Sequence, residues 1–282
     1  MTKFLFLTTS IYHENNNERQ LSLLRLIESI KNSDINYTHH ILIQRSKGKT
    51  THYEEFISKL NRNSSTIIHE IDSIISLSKA RNILLHKLNE EIITQENTIV
   101  AFPDDDAWYK KDILQEITSI FEKQTINVFI CRYGEKILNK LEPKPLQENS
   151  YFGIIKIIDC ISSITVFTRY KIIKEAGYFD ENLGVGAKIS GGEDLDYFLR
   201  VLGLINYKKS LISDRKHIWH RDRIKSGNFN YYQGSLIAIR KNYKPSFAFT
   251  ALLIRKYLIG VLHVLKGNVN IFELIMMFKR KI

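Results

Sequence analysis

The chain has 282 residues, enough for one large domain or two small ones with a substantial core. At 44% hydrophobic and 25% charged, with only 4 Pro and 13 Gly, its composition is that of an ordinary folded protein and excludes a disordered one. Lys and Arg number 41 against 30 Asp and Glu, and the formal charge of +11 points to an anionic partner: nucleic acid, a phosphorylated substrate or an acidic membrane surface.

The start, "MTKFLFLTTSIYHENNN", has an apolar run too short for a secretory leader and no small-residue cleavage site, so "KFLFLTTS" reads as a first strand. "RQLSLLRLIESIKN" follows as an amphipathic helix with Leu21, Leu24, Ile27 and Ile30 on its face, widened by Leu23 and Leu26. "YTHHILIQ" is a second strand, "THYEEFISKLN" a helix and "STIIHEI" a strand. "SLSKARNILLHKLNEE" is a helix with Leu77, Ala80, Leu84 and Leu88 on one side, then come the strand "NTIVAF" and the helix "DILQEITSIFEKQ". Alternation with short connections predicts an α/β fold: a mostly parallel central sheet flanked by helices, with ligands bound beyond the carboxyl ends of its strands. After residue 125, "INVFICRY", "YFGIIKIIDC" and "SSITVFTRY" read as strands, and "LEPKPLQENS" as a loop. A Gly-rich loop then leads into the helix "LDYFLRVLG". Cys131 and Cys160 offer neither metal spacing nor a disulfide framework, which fits a reducing cytoplasm.

Four stretches carry chemistry. In "FPDDDAWY" the carboxylates of Asp104, Asp105 and Asp106 follow the apolar run of a strand, where oxygen ligands can hold Mg²⁺ or Mn²⁺ against substrate phosphates. The plain alternative is a solvated turn. In "SGGEDLDYFLR" the apolar residues Leu195, Phe198, Leu199 and Leu202 mark a helix, so Glu193 and Asp194 fall in its first turn. There the helix dipole keeps a carboxylate ionised, as a general base requires, and the two preceding glycines let a ligand approach the backbone. Simple dipole-favoured decoration is the alternative. "KHIWHRD" offers His217 and His220; His220 is a candidate third metal ligand, against the common fate of a structural histidine. In "SKARN", Arg81 and Asn82 ride the helix before the aspartate strand, and an Arg fork suits diphosphate oxygens.

"SKARN", "FPDDDAWY", "GYFDENLGVG…GGEDLDYFLR" and "IWH", in that order and spacing, resemble the bacterial family 2 glycosyltransferases over about residues 3–243. The resemblance implies a GT-A fold and an inverting transfer from a nucleotide-diphosphate sugar to a saccharide or lipid-linked saccharide, in surface polysaccharide assembly. It implies a divalent metal, Mn²⁺ or Mg²⁺, on Asp104 and Asp106 with His220. Asp194 would be the base, with Glu193 orienting the acceptor. Thr8, Ser10, Arg81, Asn82, Asp104 and Asp105 would line the donor. Family members commonly carry an acidic residue after the second strand to contact the nucleotide; here that position is Gln44, which leaves a UDP-sugar as the default donor.

The catalytic domain is thus expected over residues 1–244, followed by a basic, apolar helical segment over 245–282. On a helical wheel Arg255, Lys256, His263 and Lys266 share about a third of the circumference, interrupted by Leu252 and Ile259. The Arg255–Lys256 pair breaks any run of roughly 20 apolar residues, so the segment reads as helices lying on an anionic leaflet, reinforced by Lys279, Arg280 and Lys281. That makes the expected location cytoplasmic and peripheral, on the inner face of the membrane. A helix pair packed on the domain is the alternative. Two other functions compete. A nucleotidyltransferase calls for an N-terminal Gly-rich phosphate loop, which "FLFLTTSIYHENNN" lacks. A basic nucleic-acid or membrane module calls for cations interleaved with aromatics, whereas the informative polar residues here are acidic, so no nucleic-acid partner is expected.

Overall fold

The computed structural model describes residues 2–45, 48–90, 97–138, 140–145, 151–205, 209–220 and 229–279. The chain opens with β1 (Lys3–Ile11), α1 (Asn17–Lys31), β2 (Tyr37–Gln44), α2 (Thr51–Leu60), β3 (Thr66–Ile71), α3 (Leu77–Glu90) and β4 (Thr98–Ala101). Then come β5 (Trp108–Tyr109), α4 (Lys111–Lys123), β6 (Val128–Gly134), β7 (Lys144–Pro145) and α5 (Tyr151–Cys160). A 3₁₀ turn at Ser163–Thr165 leads to β8 (Val166–Arg169), α6 (Tyr170–Ala176), α7 (Glu193–Gly203), β9 (Ser210–Trp219), α8 (Phe229–Lys241), α9 (Phe247–Leu265) and α10 (Ile271–Lys279).

These strands form one nine-stranded sheet in the order β3-β2-β1-β4-β8-β6-β9-β5, with β7 beside β9. The β3-β2-β1-β4 half is wholly parallel, as strand–helix alternation requires. Beyond it the sheet is mixed: β8 runs antiparallel to both β4 and β6, β9 is parallel to β6, and β5 and β7 are antiparallel to β9. Parallel pairing therefore dominates only the first half of the chain.

Near-continuous apolar strands reflect burial on both faces. Leu5, Leu7, Val100 and Val128 face one core with α3, α5, α6, α7, α8 and α9. Phe4, Phe6, Ile99 and Phe129 face the other, with α1, α2 and α4.

Three expectations change. Residues 151–160 are a helix rather than a strand: Ile154 and Ile157, three apart, enter the core and no period-2 alternation competes. The α1 face is Leu23, Leu26, Ile27 and Ile30, while Leu21 is 64% exposed, because the i, i+3, i+4, i+7 set that meets the sheet starts two residues later. The cationic stripe of α9 is turned partly inward. Leu252 is buried, Lys256 Nζ donates to Ser235 Oγ at 2.9 Å, and His263 lies against the Phe229 and Tyr232 rings, leaving Arg255 and Lys266 outside. Residues 146–150 of the expected loop, the side chain of Lys279, and Arg280 and Lys281 lie outside the described residues.

Candidate active site

β1 and β4 are adjacent and parallel, so their carboxyl ends open side by side, and the aspartates follow β4 there. Asp105 turns inward: its Oδ2 accepts from Ser10 Oγ at 2.5 Å and from Arg19 Nε at 2.6 Å, and the residue is buried. Thr8 Oγ1 donates to the Pro103 carbonyl at 3.0 Å and meets His39 Nε2 at 2.9 Å. Thr8, Ser10 and Asp105 thus tie the two strand ends together, with their polar atoms engaged inside the protein. With the middle carboxylate anchored, Asp104 and Asp106 project to the other side.

The register of β5 and β9 brings in the third group. Trp108 pairs with Trp219, their rings stacked 5.8 Å apart, and continuing that antiparallel register by one residue sets His220 opposite Ala107. His220 Nε2 lies 3.1 Å from Asp106 Oδ1 and 4.0 Å from Asp104 Oδ2, with the Tyr133 ring edge-on to its imidazole at 5.0 Å. One donor atom from each of Asp104, Asp106 and His220 falls within 4.8 Å of the others, a separation that a single cation can span. Two carboxylates and an imidazole suit Mn²⁺ or Mg²⁺ better than a thiophilic metal. His217 is elsewhere, buried between Ser213 Oγ at 2.8 Å and the Leu138 carbonyl at 3.2 Å.

"SKARN" divides its work over one face of α3. Ser78 Oγ donates to the Leu183 carbonyl at 2.5 Å. Asn82 Nδ2 donates to the Phe179 carbonyl and to Glu181 Oε1, both at 3.0 Å, and Asn82 Oδ1 accepts from Phe179 N at 2.8 Å. Spacings of i, i+3 and i+4 put these residues and Arg81 side by side. Arg81 crosses the site instead: Nη1 donates to Asp194 Oδ1 at 2.6 Å and Nη2 to Asp104 Oδ1 at 3.3 Å, with the guanidinium 5.2 Å from the centre of the Phe179 ring.

Asp194 stands in the first turn of α7 and its second oxygen accepts from Ser163 N at 2.8 Å. Ser163 Oγ reaches Asp104 Oδ1 at 3.4 Å, so Ser163 also touches both aspartates. No local sequence pattern marks Ser163; the turn around it is closed by Ser162 N donating to Thr165 Oγ1 at 2.9 Å, a tertiary arrangement rather than the S-x-x-E signature of a helix start. The two glycines before α7 serve packing. Gly191 and Gly192 have φ of 78° and 85°, and a Cβ at Gly192 would sit 2.4 Å from the Gly234 carbonyl oxygen of α8. The close approach expected for a ligand is made by that helix.

Burial sets the charges apart. It works against the Arg81 charge, but Asp194, Asp104 and Glu193 outweigh it and hold the guanidinium more firmly protonated than usual. Burial raises the Asp104 carboxyl to about 6 against the pull of Arg81, with Asp194 adding to the rise; the 36% exposure of its side chain moderates the effect, and a bound cation would reverse it. Burial and then the neighbouring Asp194 charge push Glu193 up to about 7. Gln44, at the end of β2, accepts from Ile75 N at 2.9 Å through its side-chain oxygen.

No family model matches the chain, and no curated protein matches it. Solved structures do. TarS 1–349 of S. aureus superposes with a TM-score of 0.59 at 14% identity, covering 85% of this chain and 65% of that one. The same protein in complex with UDP-GlcNAc gives 0.59 at 14%, covering 91% and 72%. The mannosyltransferase PcManGT from Pyrobaculum calidifontis, in complex with GDP-Man and Mn²⁺, gives 0.58 at 11%, covering 90% and 68%. The chain therefore spans about two thirds of the length of these proteins, and 43% of the longer TarS structure. At such identities the shared property is the fold, a GT-A-like α/β sheet flanked by helices.

Proposed function

We propose that this protein is an inverting, metal-dependent glycosyltransferase that moves a sugar from a nucleotide-diphosphate donor to a hydroxyl of a saccharide or lipid-linked saccharide. One observation carries the reading: Asp104, Asp106 and His220 form a cation-sized cluster at the strand ends, and Arg81 joins it to a carboxylate on a helix start. The fold supports it, because PcManGT was solved with GDP-Man and Mn²⁺ and TarS with UDP-GlcNAc. Uridine is the default nucleotide on the TarS likeness, and surface polysaccharide assembly is the expected setting on the family resemblance.

Asp104, Asp106 and His220 would hold the divalent ion, which when bound supplies positive charge to the diphosphate oxygens. Arg81 stands beside that position, buried and charged at neutral pH, and can share its second N–H group between Asp104 and the leaving diphosphate. Asp194 is the base. As the acceptor oxygen bonds to the anomeric carbon, the bond to the diphosphate breaks on the opposite side, and the acceptor proton passes to an Asp194 oxygen. Arg81 and Ser163 N fix the orientation of that carboxylate. A single displacement inverts the anomeric centre, with no covalent nucleophile.

A second reading exchanges the two acidic neighbours. Glu193 is raised to about 7, nearer the ideal for proton transfer at neutral pH, whereas Asp194 accepts from Arg81, Ser163 N and Ser162 Oγ. The deciding experiment incubates the protein with a panel of nucleotide sugars and Mn²⁺ and follows release of nucleoside diphosphate. Slow hydrolysis of one donor is expected; no turnover and no binding of any nucleotide sugar would overturn the reading.

A further inference from the structure

The C-terminal helices carry an amphipathic pattern of unusual orientation. α9 packs inward on α5 and α8 through Ala248, Phe249, Leu252 and Gly260. At Gly260 a Cβ would lie 2.4 Å from Tyr232 Oη and 2.9 Å from Leu274, so the inner contact is closed. The polar atoms of that side are engaged: Lys256 Nζ with Ser235, and the Lys256 carbonyl with Tyr232 Oη at 2.7 Å. The opposite side is apolar from end to end. Phe247, Ile254, Leu258, Val261, Leu262 and Leu265 are all exposed, Phe247 by 85% and Leu265 by 76%. At 100° per residue they occupy about 100° of arc along about 27 Å of helix. α10 adds exposed Phe272 and Met276. Arg255 and Lys266, both exposed, border the stripe on one edge.

We propose that this face is a membrane-docking surface, and that α9 lies in the plane of an anionic cytoplasmic leaflet with its outward stripe in the acyl boundary. The occupant follows from charge. Residues 245–282 hold six Lys and Arg (255, 256, 266, 279, 280, 281) against one acidic residue, Glu273, in a chain of net +11. A second copy of this chain would set Arg255 and Lys266, which border the stripe, against their own kind, whereas anionic headgroups complement them. α9 is long and apolar enough to cross a bilayer by length and composition. Its inner side, however, is packed on α5 and α8, and a helix held sideways against a folded domain lies along the leaflet rather than through it. α8 joins the surface to the site: Ser235 and Tyr232 hold α9, while Gly234 backs the glycines that start α7. The lipid face thus sits one helix away from Asp194.

The test uses the full chain and vesicles of phosphatidylcholine with and without phosphatidylglycerol. Sedimentation should show binding to the anionic vesicles that weakens with salt. Leu258→Glu with Leu262→Glu, both at exposed positions, should weaken it by at least ~10-fold while leaving the folded spectrum intact. Should that pair disturb folding, Arg255→Ser with Lys266→Ser should still reduce the preference for anionic vesicles. Fluorophores on Phe247→Cys and Leu265→Cys should report equal depth in the bilayer; depths differing by about the helix length would replace docking with spanning. Unchanged binding in the Glu variant would overturn the proposal. So would a dimer dissolved by those substitutions in a protein that ignores vesicles.

Discussion

Arg81 Nη1 donates to Asp194 Oδ1 at 2.6 Å across 113 positions of sequence, and the same guanidinium reaches Asp104 at 3.3 Å. The proposed donor side and the proposed base therefore share one buried cation. Arg81→Lys keeps the charge but offers a single ammonium where a fork spans two carboxylates. Transfer should fall by more than about tenfold, and Arg81→Ala should also lose on the order of 2 kcal/mol of stability, a buried-pair loss discounted for the partial exposure of both aspartates. Denaturant melts beside turnover would separate the effects; a fully active Arg81→Lys would remove Arg81 from the mechanism.

If Asp104, Asp106 and His220 hold a cation, Mn²⁺ should raise Tm in the absence of any substrate. At about 100 times its Kd the gain is about 2.7 kcal/mol. Asp106→Asn should erase the gain and His220→Ala should weaken it, and EDTA should abolish transfer. Full transfer in EDTA would sink the metal assignment.

Asp194→Asn keeps the shape but cannot take a proton, and its single carbonyl oxygen can accept from only one of the two sides held by Arg81 and Ser163 N. Its kcat should drop by ~10²–10⁴ with donor affinity nearly unchanged. Glu193→Gln should be milder. The reverse ranking, read from turnover and donor calorimetry together, would assign the base to Glu193.

The middle aspartate should behave unlike its neighbours. Asp105→Ala leaves Ser10 and Arg19 without their acceptor and should cost on the order of 2 kcal/mol, while Mn²⁺ still stabilises the protein. Loss of the Mn²⁺ effect with unchanged melting would contradict the anchoring role.

Glu193 also predicts a pH dependence. Its native carboxyl titrates at about 7 and its ordinary value is 4.5, so between these limits the unfolded chain has released a proton that the native state retains. Stability of the metal-free protein should therefore be greatest below the ordinary value and fall as pH rises toward 7. Asp104 slopes the same way between its ordinary 3.8 and about 6. Glu193→Gln, neutral throughout, should flatten the curve, and an unchanged slope in Tm against pH would refute the assignment.

Local periodicity was enough to place α2, α3, α4 and α7, because a 3.6-residue repeat of apolar side chains is written within a few turns. The apolar run ending in charge likewise located the aspartates at a strand end, and motif order pointed to the fold. Other features depend on which surface each element meets. The helix at 151–160, the exposure of Leu21, and the inward turn of Lys256 and His263 follow from packing against the sheet and α8. Asp105 joins Ser10 across 95 positions, Ser163 meets Asp194 across 31, and Gly192 yields to Gly234. Short-range spacing records what a residue can do within its own helix or strand. The partner that uses it is chosen only when distant segments close on one another, and that choice made Asp105 an anchor and left the apolar side of α9 facing outward.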